Sequence, residues 1–246
     1  MTEVKTRKRK SKIREYTEAI TIAFLAAMLL RVSVVQAYHV PTGSMKSTVL
    51  EGDYLLVNKF IYGILTPDEI PFLHLHIPHV RFPALKEPQQ GEIVVFKYPN
   101  NPSQNYVKRC IAIGGQTVEI RNGIVYINNK PEGKRKFLRK EYDPVDGTTV
   151  LYYHIDGNNG TSYTIRHYQT YDQRSMEMAP VMVPAGHFFM MGDNRDNSSD
   201  SRHWGFVPRE NVVGEAMVIY WSARQDLPIY HVFDKVRWSR LGTILN

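Results

Sequence analysis

Cysteine is nearly absent from this chain: Cys110 is the only one among 246 residues. That excludes an intrachain disulfide and a cysteine-based zinc site, and it leaves the redox compartment open. Familiar serine-nucleophile signatures are missing too. There is no G-x-S-x-G elbow. Ser44 is followed by Met45-Lys46-Ser47, so an S-x-x-K arrangement fails because the lysine falls at the wrong offset. The chain carries no internal repeat and no low-complexity tract. Its N-terminal apolar run, Ala19–Leu30, is twelve residues long, short of the ~20 that span a hydrocarbon core.

Enough apolar material remains for a substantial core. Apolar residues make up 43% and charged residues 22%, an ordinary globular balance for one medium domain or one with an insertion. The net charge is +7, which raises the question of nucleic acid. Its distribution answers it. Residues 1–18 hold seven basic and three acidic side chains, a net +4, so the other 228 residues carry only +3. The body is not strongly basic, which disfavours a nucleic-acid partner.

A basic tail before an apolar run is a topology signal. Counting Tyr16 through Val35 reaches spanning length if Glu18 lies at one interface and Arg31 snorkels to the other. A cleavable signal peptide fits as well, since Val35-Gln36-Ala37 has small residues at the right spacing. Both readings keep the basic flank in the cytoplasm and send the rest across the membrane.

Beyond residue 40 the pattern predicts mostly β structure. Short apolar runs occur at Asp53–Lys59, Gly91–Lys97, Tyr106–Ile113, Phe188–Met191 and Val213–Trp221. Thr117–Ile120 and Ile124–Ile127 flank Asn122-Gly123, a strong hairpin signal. Val150–Ile155 and Thr161–Tyr168 flank a second turn at Asp156–Gly160. Residues 64–90 hold five prolines, which disfavours central strands. Residues 130–182 are polar and Tyr-rich, as in an inserted subdomain. Val232–Leu245 mixes apolar and basic residues and reads as a solvated terminus or a membrane-surface segment.

Few segments carry chemistry. His74, His76 and His79 form an H-x-H-x-x-H cluster, but nothing nearby completes a familiar ligand set, so no metal is expected. Pro41-Thr42-Gly43-Ser44-Met45 puts a glycine beside a serine directly after the apolar segment. Lys108 interrupts the apolar run Tyr106–Ile113. An inward lysine there is desolvated and loses its proton more readily. A neutral amine can then take a serine proton. The alternative is an edge lysine facing solvent. Gly192–Arg202 (GDNRDNSSDSR) has no apolar side chain beyond glycine, yet Phe188–Met191 and Trp204–Val207 anchor both its ends. That density of Asp, Asn and Arg suits an organised, hydrogen-bonded turn at a site.

Together and in this order, these segments resemble bacterial type I signal peptidases, the leader peptidases. Four stretches carry the likeness: Pro41–Met45 with Gly52-Asp53 downstream, Gly91–Pro99, Tyr106–Arg109 and Gly192–Val207. Arg237–Gly242 resembles the family's C-terminal end, while residues 64–90 and 130–182 are covered loosely. The resemblance implies a mostly β fold of folded sheets forming a catalytic core, with an inserted β subdomain and one N-terminal transmembrane helix. The corresponding divisions are a basic cytoplasmic tail at 1–15, an anchor at 16–38, an extracytoplasmic core at 39–129 and 183–246, and the insertion at 130–182. It implies a Ser/Lys dyad of Ser44 and Lys108, with Thr42 in an oxyanion hole. Ser198 would orient the lysine, and Asp200 and Arg202 would support the site. Val40, Pro41, Met45, Tyr106 and Val107 would serve substrate binding. The implied partners are signal peptides of exported preproteins, cut after small residues of Ala-x-Ala type, and a lipid bilayer. No cofactor is implied. The expected location is the bacterial cytoplasmic membrane, in a single pass with a cytoplasmic N-terminus.

Two positions and one four-residue stretch depart from the family pattern. Ser47 stands where proline is usual, Thr42 where serine is common, and Ile113-Gly114-Gly115-Gln116 where Leu-Pro-Gly-Asp is typical. Lys46, two residues from Ser44, offers a second amine on the same side of an extended chain. The choice between Lys46 and Lys108 stays open on the residues alone.

Overall fold

The structure is a computed structural model. It describes residues 12–33, 35–63, 69–70, 75–76, 82–170, 176–228 and 231–245, with the side chains of 24–33, 69–70, 75–76 and 232 not described. His74 and His79, and the side chain of His76, therefore lie outside the described residues.

Helix α1 covers Lys12–Ser33. The strands follow as β1 Val35–His39, β2 Asp53–Asn58, β3 Glu69–Ile70, β4 Leu75–His76, β5 Ile93–Tyr98, β6 Asn101–Ile113, β7 Thr117–Arg121, β8 Ile124–Ile127 and β9 Lys130–Pro131. They continue as β10 Gly133–Asp143, β11 Thr148–Gly157, β12 Ser162–Tyr168, β13 Met178–Met182 and β14 His187–Met191. Helix α2 is Ser201–Trp204, followed by β15 Val207–Pro208, β16 Val212–Ser222, helix α3 at Val232–Lys235, and β17 Thr243–Ile244.

The main sheet runs β1-β2-β16-β5-β6-β14-β15, with β17 added to β16, and every pairing in it is antiparallel. Strand β5 shows why its sequence reads Ile-Val-Val-Phe without alternation. Ile93 and Val95 enter one core cluster with Met45, Val49, Leu55, Val57 and Ile219. Val94 and Phe96 enter another with Tyr62, Cys110, Met190 and Val212. Side chains alternate faces along a strand, so burial on both faces demands an unbroken apolar run.

A smaller sheet, β13-β7-β8-β9, packs Val118, Ile120, Val125 and Ile127 against Ile111, Phe189 and Met191. Its β7–β8 turn holds Asn122 and Gly123 at φ 50° and 71°, the left-handed pair that a tight hairpin requires. Strands β10, β11 and β12 form a separate three-stranded sheet within residues 133–168.

One expectation changes at the N-terminal end. The N-terminal helix stops at Ser33, and Val35–His39 pairs residue for residue with Asn58–Tyr54, so the end of the expected 16–38 anchor is strand rather than helix. Among the described residues no helix is long and apolar enough to cross a membrane. The C-terminal segment is stapled to the main sheet. Thr243 and Ile244 pair with Ile219 and Val218, Leu245 is buried, and Arg240 binds the fully buried Asp53 at 2.6 Å.

Candidate active site

Ser44 lies in a single 3-10 turn, Gly43–Met45, closed by Lys46 N–H donating to the Gly43 carbonyl at 3.0 Å. The turn is held from the other end of the sequence. The Asn194 backbone N–H donates to the Ser44 carbonyl at 3.1 Å, and its side-chain amide donates to the Gly43 carbonyl at 3.0 Å. Met45 is fully buried in the core beneath the turn. Thr42 precedes the turn in extended conformation and makes no capping hydrogen bond, so its exposed hydroxyl is uncommitted to the turn.

Lys108 comes from β6, which brings it against Ser44 through the antiparallel main sheet. It is 3% exposed, and its Nζ lies 2.6 Å from Ser44 Oγ and 3.1 Å from the Val107 carbonyl. The Tyr106 ring lies 5.2 Å from the same nitrogen. Burial pushes the Lys108 amine down to about 8, assisted by Arg202 and opposed by Asp200 and Asp193. Loss of hydration penalises the ammonium, and here it outweighs both carboxylates.

Lys46 goes elsewhere. Its Nζ donates to Asp146 at 2.7 Å, with Asp143 at 3.9 Å. The nearby second amine is thus ion-paired with the β10–β11 turn, and the amine in hydrogen-bond contact with Ser44 Oγ is that of Lys108.

The Gly192–Arg202 segment organises the floor of the site. Asp200 caps α2 and accepts from Gly192 N–H at 3.0 Å. Arg202 grips Asp200 with two bonds of 2.8 and 2.7 Å. Burial alone would raise the Asp200 carboxyl, but Arg202, the Gly192 N–H and Ser198 together hold it below its ordinary value. Ser198 Oγ is buried without a hydrogen bond of good geometry, so the expected contact with the Lys108 amine is not made. Gly192 is required by close approach: a Cβ there would sit 2.3 Å from both Ser198 Oγ and the Ser44 carbonyl oxygen.

A cavity of about 470 Å³ opens over the Ser44–Lys108 pair. Val40, Pro41 and Thr42 line one side and Tyr106 and Val107 the other. Met45 is absent from this lining because its side chain points into the core. Strand β1, which leads into the cavity, is an edge of the main sheet. Among the described residues no further strand pairs with its outer edge, and a sheet edge of this kind has backbone donors and acceptors that can pair with an extended segment.

Other residues of the site escaped sequence reading. Arg109, next to Lys108, is fully buried and holds Asp193 through two bonds of 2.8 Å. Arg195 and Glu132 form another buried fork at 2.8 and 2.9 Å. Asp196 binds His167 at 2.9 Å and the Tyr168 N–H at 2.7 Å. The charge density of Gly192–Arg202 was visible, but these partners lie far off in sequence and carry no local signal. The turn at Ile113–Gln116, where the sequence departs from Leu-Pro-Gly-Asp, is well formed, with Gly115 at φ 86° and the Ile113 N–H donating to the Gln116 side-chain oxygen at 2.9 Å.

The signal peptidase, peptidase S26, family model matches residues 13–221. The signal peptidase I of Pseudomonas fluorescens is 34% identical over 240 residues, covering 94% of this chain and 78% of that protein. The signal peptidase I of Aquifex aeolicus is 34% identical over 240 residues, covering 86% of each. A crystal structure of a signal peptidase I from Enterococcus faecalis V583 matches at 31% identity, over 53% of this chain and 97% of that one, with a TM-score of 0.32. The chain therefore belongs to the signal peptidase family of peptidase S26 hydrolases.

Proposed function

We propose that the chain is a membrane-anchored serine endopeptidase that cleaves signal peptides from exported preproteins, with Ser44 as nucleophile and Lys108 as general base. The observation that carries this reading is the buried 2.6 Å contact between Lys108 Nζ and Ser44 Oγ. An amine with its pKa near 8 is partly neutral at physiological pH and can accept the hydroxyl proton. Ser44 Oγ attacks the scissile carbonyl, and its proton moves to Lys108. The tetrahedral intermediate collapses as Lys108 passes that proton to the leaving amine. Lys108, neutral again, takes a proton from the water that attacks the acyl carbonyl and returns it to Ser44 Oγ as the acyl group leaves as a carboxylic acid.

The oxyanion is met by the Thr42 hydroxyl and the Ser44 N–H, donors of a kind each worth about 3–4 kcal/mol in the transition state. Asp200 and Arg202 set the charge around the lysine, and Ser198 acts on it only through Asp200. The substrate enters as an extended strand along β1 and β6, with Val40, Pro41, Tyr106 and Val107 forming shallow apolar walls. Such walls reject large side chains by overlap, which favours an Ala-x-Ala signal. A basic N-terminal tail followed by the apolar run Ala19–Leu30 supports an anchor at the cytoplasmic membrane, with the catalytic body outside.

The test is to incubate purified protein, and its Ser44→Ala variant, with a preprotein and to sequence the new N-terminus. Cleavage after an Ala-x-Ala type signal by the parent alone is expected. Equal cleavage by the variant, or none by the parent, refutes the reading.

A further inference from the structure

The three residues that follow the Ser44 turn are each bonded to a part of the structure distant in sequence. Lys46 donates to Asp146, at the tip of the β10–β11 hairpin, at 2.7 Å. Ser47 Oγ donates to the Thr164 carbonyl of β12 at 2.6 Å. Thr48 Oγ1 donates to Asp193 at 2.5 Å. Two of the three ties run to the three-stranded sheet, which otherwise contributes nothing to the cavity lining.

The Lys46 tie is the most elaborate. Asp143 accepts the N–H groups of Val145 and Asp146 at 2.9 and 3.2 Å, which fixes the hairpin tip. Arg166 of β12 binds Asp143 at 2.9 Å and also binds Asp146. The Tyr168 hydroxyl reaches Asp146 at 3.2 Å. Two carboxylates and two cations thus balance in charge, and the Lys46 and Asp146 side chains are each only 11% exposed. An exposed ion pair contributes little, but one so shielded and so tied on its acidic side constrains geometry.

Ser47 makes the constraint necessary. It sits at φ 98°, in a region that ordinary residues avoid and that proline, fixed near −65°, cannot enter. Backbone of this kind persists only where its surroundings over-determine it, at a cost of about 1–3 kcal/mol. The chain has a strained link directly after the nucleophile turn and two bonds from the three-stranded sheet across it.

We propose that the three-stranded sheet positions the nucleophile, and that Asp146 is the positioning residue, holding the Ser44 turn in register with Lys108 through the Lys46 ammonium. This rests on the Ser44–Lys108 reading above. Freed from Asp146, the turn rotates about Ser47, and the 2.6 Å Ser44–Lys108 contact lengthens in a fraction of molecules. Substrate walls on β1 and β6 are untouched.

The test compares preprotein cleavage by Asp146→Asn, Lys46→Met, the double variant and Lys46→Arg, each assayed well below its melting temperature. Loss of register should lower kcat by about tenfold in both neutralised single variants, with KM unchanged. The double variant should be no worse than either single one, because both remove the same tie. Lys46→Arg, which keeps a cation within reach, should recover most of the rate. The acidic limb of the pH–rate profile should stay in place, because the charged groups acting on Lys108 are Asp193, Asp200 and Arg202. If Asp146→Asn fails to fold, Lys46→Met and Lys46→Arg carry the comparison. Near-normal kcat in Lys46→Met, multiplying losses in the double variant, or a rise in KM alone would overturn the proposal. A Ser44→Ala variant run alongside separates the two readings: if it is active the nucleophile is wrong, and if it is inactive while Lys46→Met is normal only the positioning role fails.

Discussion

Lys108 Nζ and Ser44 Oγ lie 2.6 Å apart although 64 residues separate them in the chain. Asp200, Asp193 and Arg202 act on the lysine electrostatically, Arg202 grips Asp200 and the buried Arg109 holds Asp193, and a cavity is lined by the pair.

The first prediction concerns pH. Catalysis needs the neutral amine, and burial lowers Lys108 from 10.5 to about 8. kcat/KM should therefore rise with pH through about 8 and level off above it. A rising limb near the ordinary lysine value would contradict a desolvated base.

The same shift links to stability. Between pH 8 and 10.5 the unfolded chain holds a proton on Lys108 that the folded chain has lost. Stability contributed by this site should rise with pH across that window and stay flat below it. Urea denaturation of parent and Lys108→Met at pH 7.5 and 9.5 checks the sign. The parent should gain relative to the variant at the higher pH.

Asp200→Asn should act twice. Removing one partner of a buried pair leaves Arg202 uncompensated, a loss of about 3–5 kcal/mol that urea denaturation would register. Asp200 also raises the Lys108 amine, so its removal should move the acidic limb of the rate profile to lower pH. A limb that moved upward would contradict the placement of these charges.

Gly192→Ala should cost both stability and activity. The new methyl would meet Ser198 Oγ and, less forgivingly, the Ser44 carbonyl oxygen, each at 2.3 Å. Overpacking of this sort costs about 1–3 kcal/mol, and the backbone that must yield belongs to the nucleophile. A variant that melts and cleaves like the parent would show that the turn has room to spare.

Thr42→Val keeps shape and removes the hydroxyl. The expected effect is a fall in kcat of about 10²–10³-fold with KM little changed, the pattern of a donor used only in the transition state. Initial-rate kinetics on a preprotein decide it.

Sequence patterns located most of the sheets because local rules apply there. Apolar runs marked β2, β5, β14 and β16 within a residue or two, and Asn122-Gly123 marked a hairpin that needs left-handed residues. Strand β10 escaped because Gly133–Asp143 is largely charged and mostly exposed, so it shows no apolar alternation. Strand β13 escaped because Pro180 lies within it, which sheet edges tolerate. Strand β1 was absorbed into the apolar N-terminal segment, since five residues with no apolar alternation look alike in either setting.

The site divides along the same line. Ser44 and Lys108 were singled out by type and context, but only three-dimensional contact separates Lys108 from Lys46. That separation depends on Asp146, a hundred residues further on and featureless in its own neighbourhood. Likewise Gly52-Asp53 and Arg237–Gly242 stood out at opposite ends of the chain, and the bond from Arg240 to Asp53 is what joins them.

The most direct measurement of the central claim is preprotein cleavage by Lys108→Met, followed as kcat/KM beside the parent with folding checked by circular dichroism. Methionine fills the buried space without a charge to solvate, so the variant should fold. Loss of the base should lower kcat/KM by about 10²–10⁴-fold. A folded Lys108→Met protein that cleaves at near-parental rate would show that some other group takes the Ser44 proton.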